Sequence, residues 1–159
     1  MDIYEYAMQL EKDGEKFYRD VASKTDNKGL RTILTMLADA EVKHYKLFEN
    51  MKANDKVRVS DSPILNDVKN VFIDMREKKE FKTDVTQIGL YKKAQEIEIK
   101  TRDLYLDRAK EGDADQREIF LKIAGEEKRH YLILENIIRL VSQPDIWLEN
   151  PEWYHLEDF

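Results

Sequence analysis

The stretches "EVKHYKLFEN" (Glu41–Asn50) and "EKRHYLILEN" (Glu127–Asn136) share one polar pattern. In each, His follows Glu by three residues, Tyr follows His, and Glu-Asn closes the decamer. The copies stand 86 positions apart, counted from Glu41 to Glu127. A looser echo precedes each one. Ala7-x3-Glu11-x6-Tyr18 returns as Ala94-x3-Glu98-x6-Tyr105, now at an offset of 87, so one loop residue separates the two spacings. Apolar periodicity alone does not require matched polar letters. The repeat therefore predicts two helical hairpins related by a pseudo-two-fold axis.

Working outward, four long segments place apolar residues at alternating three- and four-residue steps, which puts them on one helix face. The first, about 2–25, carries Tyr4, Ala7, Glu11, Gly14, Tyr18 and Val21. The second, about 28–53, carries Leu30, Leu34, Leu37, Glu41, His44, Phe48 and Met51. The third, about 85–111, lines up Tyr91, Ala94, Glu98, Thr101, Tyr105 and Ala109, and the fourth, about 114–142, lines up Phe120, Ile123, Glu127, His130, Leu134, Ile137 and Val141.

Local chemistry marks the boundaries. "TDNKG" at 25–29 turns between the first two helices, and Gly112-Asp113 with Gln116 reads as a stop followed by a capped start. Asp84 with Gln87 is placed to cap the third helix. Ser62 before Pro63 reads as an N-cap with proline at the first helical position, opening a shorter amphipathic piece with Ile64, Leu65, Val68, Val71, Phe72 and Met75 on one side. Two short connections flank a long one, about 54–84. The expected fold is all-α, an antiparallel four-helix bundle over residues 1–143 with one long crossover containing a short extra helix. Pro144 ends the fourth helix and begins an aromatic tail, 144–159, expected to pack on the bundle or on a partner subunit.

Composition agrees with one soluble domain. Charged residues make up 38% of 159 positions, Gly and Pro are few, and there is no cysteine, so neither disulfides nor thiolate metal sites can form. The net charge of −6, without a basic tract, argues against nucleic-acid binding. No run has the length of a membrane span and the N-terminus has no signal-peptide pattern, so a cytoplasmic protein is expected.

The informative letters are polar ones on the wrong face. Glu11, Glu41, His44, Glu98, Glu127 and His130 all occupy the apolar seam. Residues three apart on a helix differ by roughly 60° around the axis, so each Glu points the same way as its His. An unpaired buried carboxylate costs several kcal/mol or takes up a proton. Two divalent cations would neutralise four carboxylates, each hairpin contributing half of a dinuclear site. Oxygen and imidazole donors suit iron or manganese, with zinc also able to bind. A third Glu-x-x-His, Glu152 and His155 in the tail, stands outside the repeat and is read as coincidence. Tyr18 and Tyr105 are large core residues whose phenols are also placed to hydrogen-bond the carboxylates from behind.

At "LEKDGEKFY", "LADAEVKHY", "AQEIEIKTRDLY" and "IAGEEKRHY" the chain resembles the rubrerythrin-like branch of the ferritin-like di-iron carboxylate superfamily, over roughly residues 3–142. The resemblance implies two iron ions in mid-bundle, Glu11 and Glu98 as terminal carboxylates, Glu41 and Glu127 as bridging ones, and His44 and His130 each capping one iron. It implies a non-haem di-iron oxidoreductase reducing hydrogen peroxide or oxygen in oxidative-stress defence. The alternative is a ferroxidase or iron-binding protein for storage or transfer; a module with a merely structural metal and a hydroxylase are further readings. Rubrerythrins typically carry another glutamate one turn along the third helix. Here that position is Thr101, with Gly14 as its repeat mate, which leaves a more symmetric ligand set like that of bacterioferritin. Rubrerythrins also commonly end in a rubredoxin-like domain built on four cysteines, which this chain cannot form. A separate electron donor such as a rubredoxin, and a homodimeric assembly, are expected partners.

Overall fold

The computed structural model describes residues 1–149; Glu152, Trp153, Tyr154, His155 and Phe159 of the expected tail lie outside them. Among the described residues there are six α-helices and no strand: α1 (Ile3–Ser23), α2 (Lys28–Lys52), α3 (Ile64–Glu77), α4 (Ile88–Glu111), α5 (Ala114–Ser142) and α6 (Pro144–Glu149). α1 packs along α2 and α4 along α5, so the two hairpins of the repeat are the two halves of an all-α, ferritin-like bundle. The long crossover carries α3, which lies against α2 and α5. No helix among the described residues is long and apolar enough to cross a membrane.

The helix starts follow from side-chain caps. Asp2 accepts from Glu5 N at 2.8 Å and Asn27 from Leu30 N at 3.0 Å, each satisfying a backbone N–H that the first turn leaves free. Asp113 and Gln116 form the reciprocal capping box at α5. Two caps differ from expectation. Asp84 accepts from Thr86 N at 2.9 Å, within a 3-10 turn (Val85–Gln87) that precedes α4. That tight turn directs Gln87 inward, where it donates to Lys24 O at 2.7 Å and accepts from Tyr91 at 3.1 Å, tying the α1–α2 corner to α4. Helix α3 begins at Ile64, with Pro63 in the cap position and Ser62 Oγ accepting from Ile64 N at 3.3 Å.

Helix ends in the crossover use left-handed residues that are not glycine. After α2, Asn54 has φ 60°, Asn54 N donates to Met51 O and Asp55 N to Asn50 O. After α3, Lys79 has φ 54°, with the same two bonds running to Arg76 O and Met75 O. Both are Schellman closures.

Packing divides the bundle into layers. One buried cluster gathers Leu30, Leu34, Leu37, Tyr91, Ile133 and Ile137 with Val68, Phe72 and Met75 of α3; the other gathers Ala7, Phe48, Tyr105, Ala109, Phe120 and Ile123. The polar seam residues fall between them in sequence on every bundle helix. Burying a side chain such as Phe72 or Met75 stabilises by about 1.5–3 kcal/mol, which fastens α3 to the bundle. Close approach there depends on Gly29, where a Cβ would meet Met75 at 2.4 Å. Pro144 opens the short helix α6, whose Trp147 is buried with its ring edge-on to Phe72, centroids 4.7 Å apart.

Candidate metal centre

The structure brings all six seam residues together. Glu11 (α1), Glu41 and His44 (α2), Glu98 (α4), Glu127 and His130 (α5) are each no more than 3% exposed. Their ligand-type atoms form two groups of four, each within 4.8 Å: Glu11, Glu41, His44 and Glu127, and Glu41, Glu98, Glu127 and His130. Glu41 and Glu127 belong to both. The two imidazole rings lie nearly parallel, 13° apart in plane, with centroids separated by 5.9 Å.

These donors converge without satisfying one another. His44 Nδ1 is 2.9 Å from Glu127 Oε1 and 3.4 Å from Glu11 Oε2; His130 Nδ1 is 3.4 Å from Glu98 Oε1 and 3.5 Å from Glu41 Oε1. Yet Glu11 Oε2, Glu98 Oε2, Glu127 Oε1 and both Nδ1 atoms are buried with no hydrogen-bond partner. Buried polar atoms are nearly always paired, because an unmade bond costs about 1–3 kcal/mol. Five orphaned acceptor-type atoms aimed at common points fit a pair of hard or borderline cations.

The remaining atoms are held from behind. Tyr105 of α4 donates to Glu11 Oε1 of α1 at 2.7 Å, and Tyr18 of α1 donates to Glu98 Oε1 of α4 by a short bond. Each tyrosine thus supports a carboxylate of the other hairpin, leaving the second oxygen free. Thr101 does not face the centre as a donor: its hydroxyl bonds back to Ile97 O at 2.9 Å. Thr101 and Gly14 instead border a cavity of about 10 Å³ beside Glu41, Glu98 and Glu127, on the order of one water.

The sequence reading missed Glu126. Its carboxylate hydrogen-bonds His44 Nε2 across the α2–α5 contact. Its repeat mate is Ala40, so the repeat that exposed the other six concealed it. The available signal was a glutamate four residues before His130 on a mostly buried face.

Electrostatics separate the carboxylates into two kinds. Burial, then the Glu11, Glu127 and Glu98 charges, push the Glu41 carboxyl well up. Burial with Glu98 and Glu11 does the same to Glu127. At Glu98 burial is outweighed by the His130 charge and by hydrogen bonds including that of Tyr18, which bring it down to about 2. Glu11 is lowered in the same way, burial being outweighed by His44 and Tyr105 among others. Burial would depress His44, but the nearby Glu11 charge and the hydrogen bond of Glu126 hold it well above the usual imidazole range. Burial and the adjacent carboxylates push both phenols well up, so Tyr18 and Tyr105 stay protonated donors. Without metal the site is a proton-sharing cluster; with metal those protons must leave.

Against known proteins, the family model described as Rubrerythrin matches residues 2–138, which includes every residue of the centre. No curated protein and no solved structure matches the chain.

Proposed function

The chain belongs to the rubrerythrin family, and from that premise we propose that Glu11, Glu41, His44, Glu98, Glu127 and His130 hold two iron ions. We propose further that the protein reduces hydrogen peroxide, or oxygen, in oxidative-stress defence. The observation that carries the reading is the pair of four-residue groups sharing Glu41 and Glu127. Sharing would let each of two cations take one terminal carboxylate and one imidazole besides Glu41 and Glu127.

Two iron ions would supply one electron each, which with two protons balances the reduction of one H₂O₂ to two waters. The protein's own part is positioning and proton control. Glu41 and Glu127 give up their protons when cations replace them, so the filled centre is near neutral. Tyr18 and Tyr105 fix one oxygen of Glu98 and of Glu11, which holds both terminal carboxylates in place while the shared ones remain free to shift. The flanking apolar clusters keep bulk water from the reacting face. Electrons come from a separate carrier protein such as a rubredoxin, and the working assembly is a homodimer.

The test is rapid mixing of the iron(II)-loaded protein with H₂O₂ and, separately, with O₂. Faster oxidation of the centre by H₂O₂ supports the proposal; the reverse order counts against it. One observation favours a second reading, a ferroxidase acting in iron storage or transfer. Thr101 stands where an additional carboxylate would break the symmetry of the six residues. Native mass separates the two, a dimer fitting the first and a cage the second.

A further inference from the structure

The two halves of the centre match in their six seam residues and two tyrosines, but not around the imidazoles. His44 Nε2 is hydrogen-bonded to Glu126, while the repeat places Ala40 where a carboxylate for His130 would stand. Alanine offers no acceptor. Glu126 and His44 also line a crevice of about 350 Å³ between α2 and the crossover, bordered by Arg58, Ser60 and Asp67.

We propose that Glu126 is a positioning residue that makes the two metal positions unequal, the His44 position binding its cation the more tightly. The inference rests on the six residues being ligands and not on the reduction of peroxide. Three effects act in one direction. The bond to Glu126 holds Nε2 outward, so Nδ1 is the ring nitrogen that faces Glu11 and Glu127 and can take the cation. A carboxylate on the far nitrogen raises the basicity of Nδ1. It also adds a negative charge near the cation of Glu11, Glu41, His44 and Glu127, where the repeat gives the Glu98 and His130 half only Ala40.

The experiment is anaerobic titration of the full chain with Co²⁺, followed by calorimetry and by visible absorption, for wild type, Glu126→Ala and Glu126→Gln. Wild type is expected to bind two Co²⁺ in resolvable steps. Glu126→Ala is expected to weaken the tighter step by about 10- to 100-fold and leave the weaker one in place. Glu126→Gln keeps an acceptor for Nε2–H without the charge and is expected to restore part of the loss, which a general defect in folding would not allow. Far-UV circular dichroism checks that the variants are helical. Two equal steps in wild type, equal weakening of both steps in Glu126→Ala, or no change in either variant would overturn the inference alone. A wild-type protein that binds no Co²⁺ would remove the metal centre itself, and the inference with it.

Discussion

His44 Nδ1 and Glu127 Oε1 approach to 2.9 Å and yet form no hydrogen bond. Atoms this close in a dry interior would ordinarily align and share a proton. Here the nitrogen also lies 3.4 Å from Glu11 Oε2, and both it and the Glu127 oxygen are left without a partner. The bundle spends folding energy to keep them so, which is sensible if a cation completes the set.

The shared carboxylates should matter differently from the terminal ones. Glu41→Ala or Glu127→Ala removes an atom from both groups, so loss of both ions is expected. Glu11→Ala or Glu98→Ala removes a donor from one group, and retention of about one ion per chain is expected. Elemental analysis of protein purified without oxygen checks this; two ions per chain in Glu41→Ala and Glu127→Ala would contradict the assignment.

Acidity of the centre gives metal-free protein an unusual pH dependence. Glu41 and Glu127 ionise above their unfolded range, roughly pH 4.3–4.5, and His44 above its own near 6.5. The folded state therefore holds extra protons, and the stability from these groups, complete below the unfolded values, is lost as pH rises through the folded ones. Glu11 and Glu98 have the opposite sign, but their contribution is present above about pH 4.5 and fades only on acidification, for Glu98 toward about 2. Between pH 5 and 8 the first set governs. The melting temperature of chelator-treated protein is expected to fall over that range, while the stabilisation by added Fe²⁺ or Zn²⁺ grows. A flat or rising metal-free profile would count against the buried proton-sharing cluster.

Much of this was legible in the letters, and the gaps have physical causes. Six polar residues on an apolar seam, repeated at fixed offsets, located both the fold and the centre, because a helix face is a function of spacing alone. Glu126 was not visible because its contact with His44 depends on which neighbouring helix it meets. Asn54 and Lys79 hid the crossover's helix ends, since residues other than glycine rarely signal a left-handed turn. Gln87 has the right spacing for a cap, but the 3-10 turn rotated it inward.

Removing the tyrosine hydroxyls isolates what they hold. Tyr105→Phe leaves Glu11 Oε1 without its donor and Tyr18→Phe does the same to Glu98. Hydrogen bonds to charged groups contribute about 1.5–3 kcal/mol, so each variant should lose stability of that order without metal. Urea unfolding at pH 7 measures it. A change under 0.5 kcal/mol (roughly that of a neutral surface substitution) would show the bonds to be incidental.

Gly14 lies in the middle of α1, where glycine costs about 1 kcal/mol relative to alanine. A Cβ there would sit 3.2 Å from Glu41 Oε2 and 3.3 Å from its Cδ. Gly14→Ala is therefore expected to leave metal-free protein as stable or slightly more so, while reducing the thermal shift produced by metal, because Glu41 loses room to adjust. Paired melts with and without Zn²⁺ test this; an undiminished metal shift would show that Glu41 does not need that space.

A charged stratum lying between two oily ones also fixes how the four rods line up. If α4 slid one turn along α1, Glu98 would leave its companions and enter one of the flanking apolar clusters instead, and no cation could follow it there. Pure hydrocarbon seams forgive such slippage; this one does not. The same residues that would carry the chemistry thus act as an alignment mark for the fold, so damage to the centre should surface as mispaired helices as well as lost ions.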